Sequence, residues 1–219
     1  MVPGQKLIEA DISDALKISR GPVREGLMRL QAQGVVTLSR HRGAYIRAFS
    51  RAETGDLLVI LDALTAVMAR LAAAAVATGA DDTAMRHAQE QLESLAAAGE
   101  AGGLIAQRRH FYDALIAIGG NRQLAAIMPL MQIHLLRLQV QPWFSAVDLG
   151  NRAAEYAAIS EAVVAGKAAA AETAMRHHMR RMAARLQRLP DAAFALHQGM
   201  RSTRVALAMP PDSHMLTRP

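Results

Sequence analysis

Apolar residues recur at helical spacing in two stretches near the start of the chain, switch to alternation, and then return to helical spacing. Ile8, Ile12 and Leu16 fall four residues apart and predict one amphipathic helix. Val23, Leu27 and Leu30, at i, i+4 and i+7, predict a second helix over 19–34. Only Lys17-Ile18-Ser19 joins the two, short enough for helices to meet at a steep angle, as in a helix-turn-helix. Ser19 suits the N-cap, Pro22 suits the first turn where its missing N–H costs nothing, and Gly34 stops the helix. Beyond Gly34 the period falls to two. Val36 and Leu38 share a face with Ala44 and Ile46 across a turn at Arg40-His41-Arg42-Gly43, which predicts a two-stranded wing with a basic tip.

After Ser50 the chain is rich in Ala, Leu and Met and carries hardly any strand signal. Glycine and proline breakers divide it into helices at 52–78, 81–98, 102–118, 122–140, 147–165 and 168–188. The fold class is therefore mainly α, a winged helix-turn-helix followed by an antiparallel six-helix bundle. Three regions are expected: the winged helix-turn-helix over 1–50, an all-helical domain over 51–189, and a partly disordered tail over 190–219. Pro190-Asp191 ends the last helix, and Arg201 and Arg204 of the tail read as solvated charge rather than DNA contacts.

Composition sharpens this picture at a few points. The net charge of +6 favours polyanionic partners. The absence of cysteine excludes a disulfide framework and thiolate metal sites and suits a reducing cytoplasm. The most apolar stretch, Leu57 to Val76, is broken by Asp62 and Arg70, so no membrane span is expected, and Lys6, Glu9 and Asp11 interrupt any signal peptide. With aromatic residues at 4%, the twelve methionines read as core filler. No nucleophile–base pair and no phosphate-cradling glycine loop is evident, which argues against a helical-bundle enzyme with an appended DNA domain.

Arg20 and Arg24 stand one turn apart, away from the apolar stripe of their helix. Arg40 and Arg42 alone read more readily as solvated surface, but a basic hairpin directly after the helix suits simultaneous contact with a groove and with phosphates. Pro3-Gly4, Leu7, the run Ile18-Ser19-Arg20-Gly21-Pro22-Val23-Arg24-Glu25, Leu30, Gly34 and Arg42-Gly43-Ala44-Tyr45-Ile46 resemble the winged helix-turn-helix of GntR-type bacterial transcription regulators. The resemblance implies that Ser19, Arg20, Gly21 and Arg24 face the operator in the major groove, with Arg40, His41, Arg42 and Gly43 at the minor groove or backbone. It also implies a further helix ahead of Pro3-Gly4, where this sequence begins at Met1. Either translation starts upstream, or the domain lacks a packing wall and Leu7, Ile12 and Leu27 lose apolar partners.

The second region resembles the FCD effector-binding domain of the FadR branch, through Phe111-Tyr112-Asp113-Ala114-Leu115, Gly120-Asn121, Leu124, Glu155-Tyr156, Ile159, Ala162, Gly166 and Met175-Arg176-His177-His178. That resemblance implies an Asp and three His around a divalent metal, with a small carboxylate effector at or near it. In this sequence the four positions read Arg108, Tyr112, Tyr156 and His178, and His110 and His177 are displaced along their helices. Arginine only donates and a neutral phenol is a poor ligand, so no metal or other cofactor is expected. Instead Arg108 puts a fixed positive charge where the metal would sit, and arginine clamps a carboxylate with two parallel hydrogen bonds. The expected effector site is Arg108, Tyr112, Tyr156 and His178, with His134 and Arg137 adding polar contacts. The opposing expectations are that Arg108 pairs with Glu155 or Asp113, and that Arg137 stays wet at a helix C-terminus. The family's Arg and Glu on the first bundle helix are replaced by Leu61 and Thr65.

These expectations add up to a ligand-responsive regulator, a cytoplasmic homodimer that binds double-stranded operator DNA as a repressor and is released by a small organic acid. The alternative is a DNA-binding regulator that has lost ligand sensing.

Overall fold

In a computed structural model, residues 2–39, 43–99 and 101–194 are described; the wing-tip residues Arg40, His41 and Arg42, and the tail from residue 195 with Arg201 and Arg204, lie outside them. The chain forms two compact units that divide between Arg47 and Ala48.

In the first unit, α1 (Glu9–Leu16) and α2 (Arg20–Ala32) are joined through Lys17, whose φ of 54° places it in the left-handed region as the α1 C-cap. Two further turns of chain make the wing, β2 (Val36–Ser39) and β3 (Gly43–Ile46), with Val36 opposite Ile46 and Leu38 opposite Ala44. The alternation did not reveal a third strand, β1 (Lys6–Leu7), which pairs antiparallel with β3 and gives the sheet order β1-β3-β2. Two residues are too few for a period to declare itself. Gly34, at φ 73°, turns the chain out of α2 while Val35 N–H returns to the Leu30 carbonyl, a left-handed helix stop that favours glycine.

Burial in this unit departs from expectation. Leu7, Val23 and Leu27 are buried, and Ile12 is half-buried. For Leu7 the reason is β1, whose pairing sets it opposite Ala44 on the inner face of the sheet. The large apolar residues exposed in this unit include Val2, Leu16, Ile18, Met28, Leu30 and Leu38, so Leu30 and Leu38 leave the stripes to which their spacing assigned them.

The second unit is helical: α3 (Arg51–Ala77), α4 (Thr83–Ala97), α5 (Ala101–Gly119), α6 (Arg122–Ile127), α7 (Ile133–Val140), α8 (Ala146–Val164) and α9 (Ala168–Gln187). Helix α3 packs against α5, α8 and α9, and α4 packs against α5 and α8. The single helix expected over 122–140 is broken. Pro129 has no N–H to continue α6, so Met128–Met131 tightens to a 3-10 turn, and Gln132 at φ 49° redirects the chain into α7. Capping boxes at Ser50/Glu53 and Ser145/Asp148 fix the starts of α3 and α8. Gly166, at φ 67°, closes the α8–α9 turn against α3, where an added Cβ would stand 3.0 Å from Ala77 Cβ.

Met68, Met85, Leu92, Phe111, Leu115, Ile159, Val163 and Met175 fill the core, which places methionines as packing residues. Helix α3 is long and apolar enough to cross a membrane by length and composition, yet half of its most apolar window is buried in the bundle. Its charged residues pair with α9, Asp62 with Arg176 at 2.8 Å and Arg70 with Glu172 at 3.3 Å, as befits a core helix. After α9 the chain stays on the bundle. Arg51 donates to Asp191 and to the Leu189 carbonyl, its guanidinium stacks on Phe194 at 4.5 Å, and Phe194 is buried.

Candidate functional site

Helix α2 buries Val23 and Leu27 and turns Arg20, Gly21 and Arg24 outward. Ser19 occupies the N-cap with extended backbone but makes no side-chain capping bond, so its hydroxyl is not consumed by the helix. Arg24 is bound edge-on, Nε at 3.2 Å and Nη2 at 2.9 Å from the two oxygens of Glu9 on α1, while its side chain remains 68% exposed. The Arg24 guanidinium holds the Glu9 carboxyl below the usual carboxylate range, and Glu9 raises Arg24 in turn. Arg20 is exposed and has no hydrogen bond or ion pair among the described residues, although its charge reaches Glu9. Of the wing tip, only Gly43 is described; it opens β3 at φ 85°, opposite Ser39.

The second set of residues gathers inside the helical unit. Arg108 and Tyr112 come from α5, Arg137 from α7, Arg152, Glu155 and Tyr156 from α8, and His178, Arg181 and Arg185 from α9. Arg108 is buried, 6% exposed; its Nε donates to the Tyr156 hydroxyl, its Nη2 to the Tyr112 hydroxyl at 3.3 Å, and its Nη1 has no partner among the described residues. The expected internal ion pair is absent. Glu155 is taken by His178 Nδ1 at 2.7 Å, Arg185 Nη2 at 2.6 Å and Arg181 Nε at 2.7 Å, while Asp113 lies nearest Arg109 at 3.7 Å.

Two more arginines share the environment. Arg137 is half-buried and lies 5.7 Å from the Tyr112 ring centre; its Nε is buried without a partner among the described residues, so its head group is not wholly in water at the end of α7. Arg152 stacks on Phe144 at 4.2 Å, and both its Nε and its Nη2 are buried without a partner among the described residues. Burial lowers all three guanidinium groups, Arg137 to about 9 and Arg152 to about 10; the Arg152 charge deepens the shift of Arg137, Arg108 and Arg185 deepen that of Arg152, and Tyr112 opposes that of Arg108. All three remain protonated at neutral pH. Burial pushes the Glu155 carboxyl up, but its bonds to His178 and Arg185 outweigh this and hold it at about 2. His178 is fully buried and is lowered to about 4 by that burial, against the pull of Glu155 and with the help of the Arg108 charge. It is neutral at pH 7, so Nδ1 donates to Glu155 and Nε2 is an acceptor with no partner.

His134 does not join this group. It is exposed, and the charge that acts on it is that of Arg109. His110 and His177 are likewise exposed; His110 bonds Gln107 at 3.0 Å and lines a separate pocket of about 640 Å³ between α4 and α5. Thr65, in place of the family's Glu, donates to the Leu61 carbonyl and needs no other partner. Sequence reasoning missed Arg152 and Arg185. The signal was present: Arg152 stands one turn before Tyr156, and Arg185 two turns after His178, on the same helix faces.

A three-stranded winged helix-turn-helix with outward arginines, followed by a helical unit enclosing unpaired cations, defines a DNA-binding protein with a helical sensor domain. The family comparisons agree. The FCD domain matches residues 56–181, more than half of the chain, and the bacterial regulatory proteins of the gntR family match residues 1–46. The chain belongs to the GntR family of bacterial regulators that carry an FCD domain.

Among curated relatives, the HTH-type transcriptional repressor RspR of Escherichia coli K12 is 32% identical over 76 residues, 35% of this chain and 33% of that protein. The chain thus spans about a third of the length of the first relatives it matches. A wider match, 25% identical over 176 residues, 80% of this chain and 76% of the relative, is to the "Probable D-xylose utilization operon transcriptional repressor" of Paenarthrobacter nicotinovorans. Among solved structures, E. coli McbR/YncC superposes with a TM-score of 0.71 at 17% identity, covering 85% of this chain and 89% of that one, which speaks to the fold.

The metal that FCD domains commonly hold does not fit the residues here. At the four ligand positions Arg108 donates to both phenols, and His178 is tied through Nδ1 to Glu155. A guanidinium at the centre of the set opposes a divalent cation by charge as well as by chemistry. Among the described residues no group of three His, Asp or Glu side chains is placed to hold a metal.

Proposed function

We propose that this protein is a ligand-responsive transcription regulator of the bacterial cytoplasm, a repressor that leaves its operator when the helical domain binds a small organic acid. It reads double-stranded DNA with α2: Arg20 and Arg24 reach base edges, while Ser19, Gly21 and the wing residues Arg40, His41, Arg42 and Gly43 position it on the phosphates and the minor groove. One recognition helix reads only a few base pairs, so a homodimer on a near-palindromic site supplies the needed length. Relatives whose names say repressor support repression over activation.

The observation that carries the effector reading is Arg108, a buried guanidinium with a free nitrogen and no carboxylate partner. An uncompensated buried charge costs several kcal/mol, and an anion that enters and pairs with it recovers that cost. Tyr112 and Tyr156 orient the guanidinium, Arg137 adds charge and His178 adds an acceptor. His134, exposed beside Arg109, stands at most at the margin of such a site.

A thermal-shift screen of organic acids on wild type and Arg108→Ala tests this reading, followed by operator gel shifts with any hit. The expected result is a ligand that raises the melting temperature of wild type alone and weakens operator binding. A protein that binds operator with no acid able to alter it is a regulator without sensing, and the effector reading then fails.

A further inference from the structure

The unpartnered nitrogens are not scattered. Arg152 leaves Nε and Nη2 together, and these two atoms form one edge of the guanidinium, while Phe144 covers its face at 4.2 Å. That edge grips a carboxylate through two parallel hydrogen bonds. The same protein shows the grip at Arg24, whose Nε and Nη2 hold both oxygens of Glu9. Near Arg152 the carboxylates are those of Asp148 and Glu155, and neither bonds to it: Asp148 closes the Ser145 cap, and Glu155 is saturated by His178, Arg181 and Arg185. A second group of free donors lies around Tyr112, formed by Arg108 Nη1 and Arg137 Nε, with both guanidinium carbons within 6 Å of that ring.

A carboxylate on the Arg152 edge keeps lone pairs for further donors, as Glu155 shows, but it brings a single negative charge to three guanidinium groups. A second carboxylate gives Arg108 and Arg137 a counter-charge of their own. We propose that the effector is a compact organic dianion, with one carboxylate seated on the Nε/Nη2 edge of Arg152 and the other between Arg108 Nη1 and Arg137 Nε. This rests on the effector reading above and adds the charge of the ligand and a second anchoring residue. Tyr112 and Tyr156 set the Arg108 plane between the two anionic groups, and the neutral His178 Nε2 accepts from a hydroxyl on the connecting carbons.

Calorimetric titration of the full chain tests the assignment, using the dicarboxylates from oxalate to adipate, propionate as a monoanion, and inorganic phosphate. One dicarboxylate length is expected to bind more tightly than propionate. Arg152→Gln and Arg152→Lys are each expected to weaken that binding by roughly 10- to 100-fold, the size of lost hydrogen bonds to a charged group. The Lys variant keeps the cation over Phe144 and removes only the fork, so its loss separates recognition from folding. A dicarboxylate that binds both Arg152 variants as it binds wild type, yet is lost in Arg108→Gln, overturns the dianion and leaves the proposed function intact. Phosphate binding with the same Arg152 dependence, in place of every dicarboxylate, overturns the carboxylate assignment. No binding of any probe to wild type overturns the effector reading itself.

Discussion

Arg24 and Arg108 are the same side chain in opposite circumstances. Arg24 lies in water and yet holds a carboxylate edge-on, where an exposed ion pair contributes little to stability and is easily exchanged for another anion. Arg108 is buried, where pairing matters most, and holds only two phenols. The comparison teaches that partners are not distributed here for stability alone. Glu9 holds Arg24 in an exposed, exchangeable ion pair, which suits the base-reading role proposed for it. In the bundle, Arg108, Arg137 and Arg152 share no carboxylate, while Glu155 alone gathers His178, Arg181 and Arg185. One cluster is closed on its own carboxylate; the other has none among the described residues, which is what the proposed effector would supply.

The closed cluster gives the largest expected effect. Glu155→Gln leaves Arg185 and His178 without their anion and should destabilise the protein by about 3 kcal/mol in urea unfolding. A loss no greater than that of a surface substitution would erase the contrast between closed and open clusters. Next comes pH. His178 is neutral when folded and lowered to about 4, so the unfolded chain takes up its proton first. Stability should hold above pH 6.5 and fall by about 2 kcal/mol as pH drops from 6.5 toward 4, with the further loss from Glu155 between 4.5 and about 2. Melting temperatures across that range check the sign; rising stability on acidification would mean that His178 is charged in the fold.

Arg24→Ala should weaken operator binding at least about tenfold and reduce discrimination at one base position, as expected for a lost bidentate contact. Gel shifts with unchanged affinity would remove Arg24 from the reading face. Without ligand, Arg108→Met should raise stability by about 1 kcal/mol, because an uncompensated buried charge is replaced by an apolar chain of similar length; a lower melting temperature would make Arg108 structural. The smallest effect is Glu9→Gln. It should leave the melting temperature unchanged and shift operator affinity only slightly, through Arg24.

Much of the winged unit was legible from spacing. Val23 and Leu27 at one helical interval, Gly34 as a stop and the alternation around the wing are local signals, and their positions in the structure follow from them. β1 escaped because two residues carry no period, and Leu30 and Leu38 escaped because spacing assigns a face but not what covers it. In the bundle, the break at Pro129 and Gln132 was readable only in part, since proline was visible and the left-handed residue after it was not. Arg108, Tyr112, Tyr156 and His178 came together as their positions implied, while His134 turned out to face solvent and Arg137 to be half-buried with its Nε out of water.

By itself the sequence determined the class of the protein, because helical periods, caps and a basic wing are properties of consecutive residues. It also determined that the usual metal set is chemically absent, because ligand chemistry is decided by residue type. Only the tertiary structure decided which charges are paired. Glu155 lies close in sequence to Arg152 but bonds to residues of α9 more than twenty positions away, which leaves Arg108, Arg137 and Arg152 open. The physical reason is that charge compensation depends on distance and burial in space, and neither is written into the order of residues along the chain.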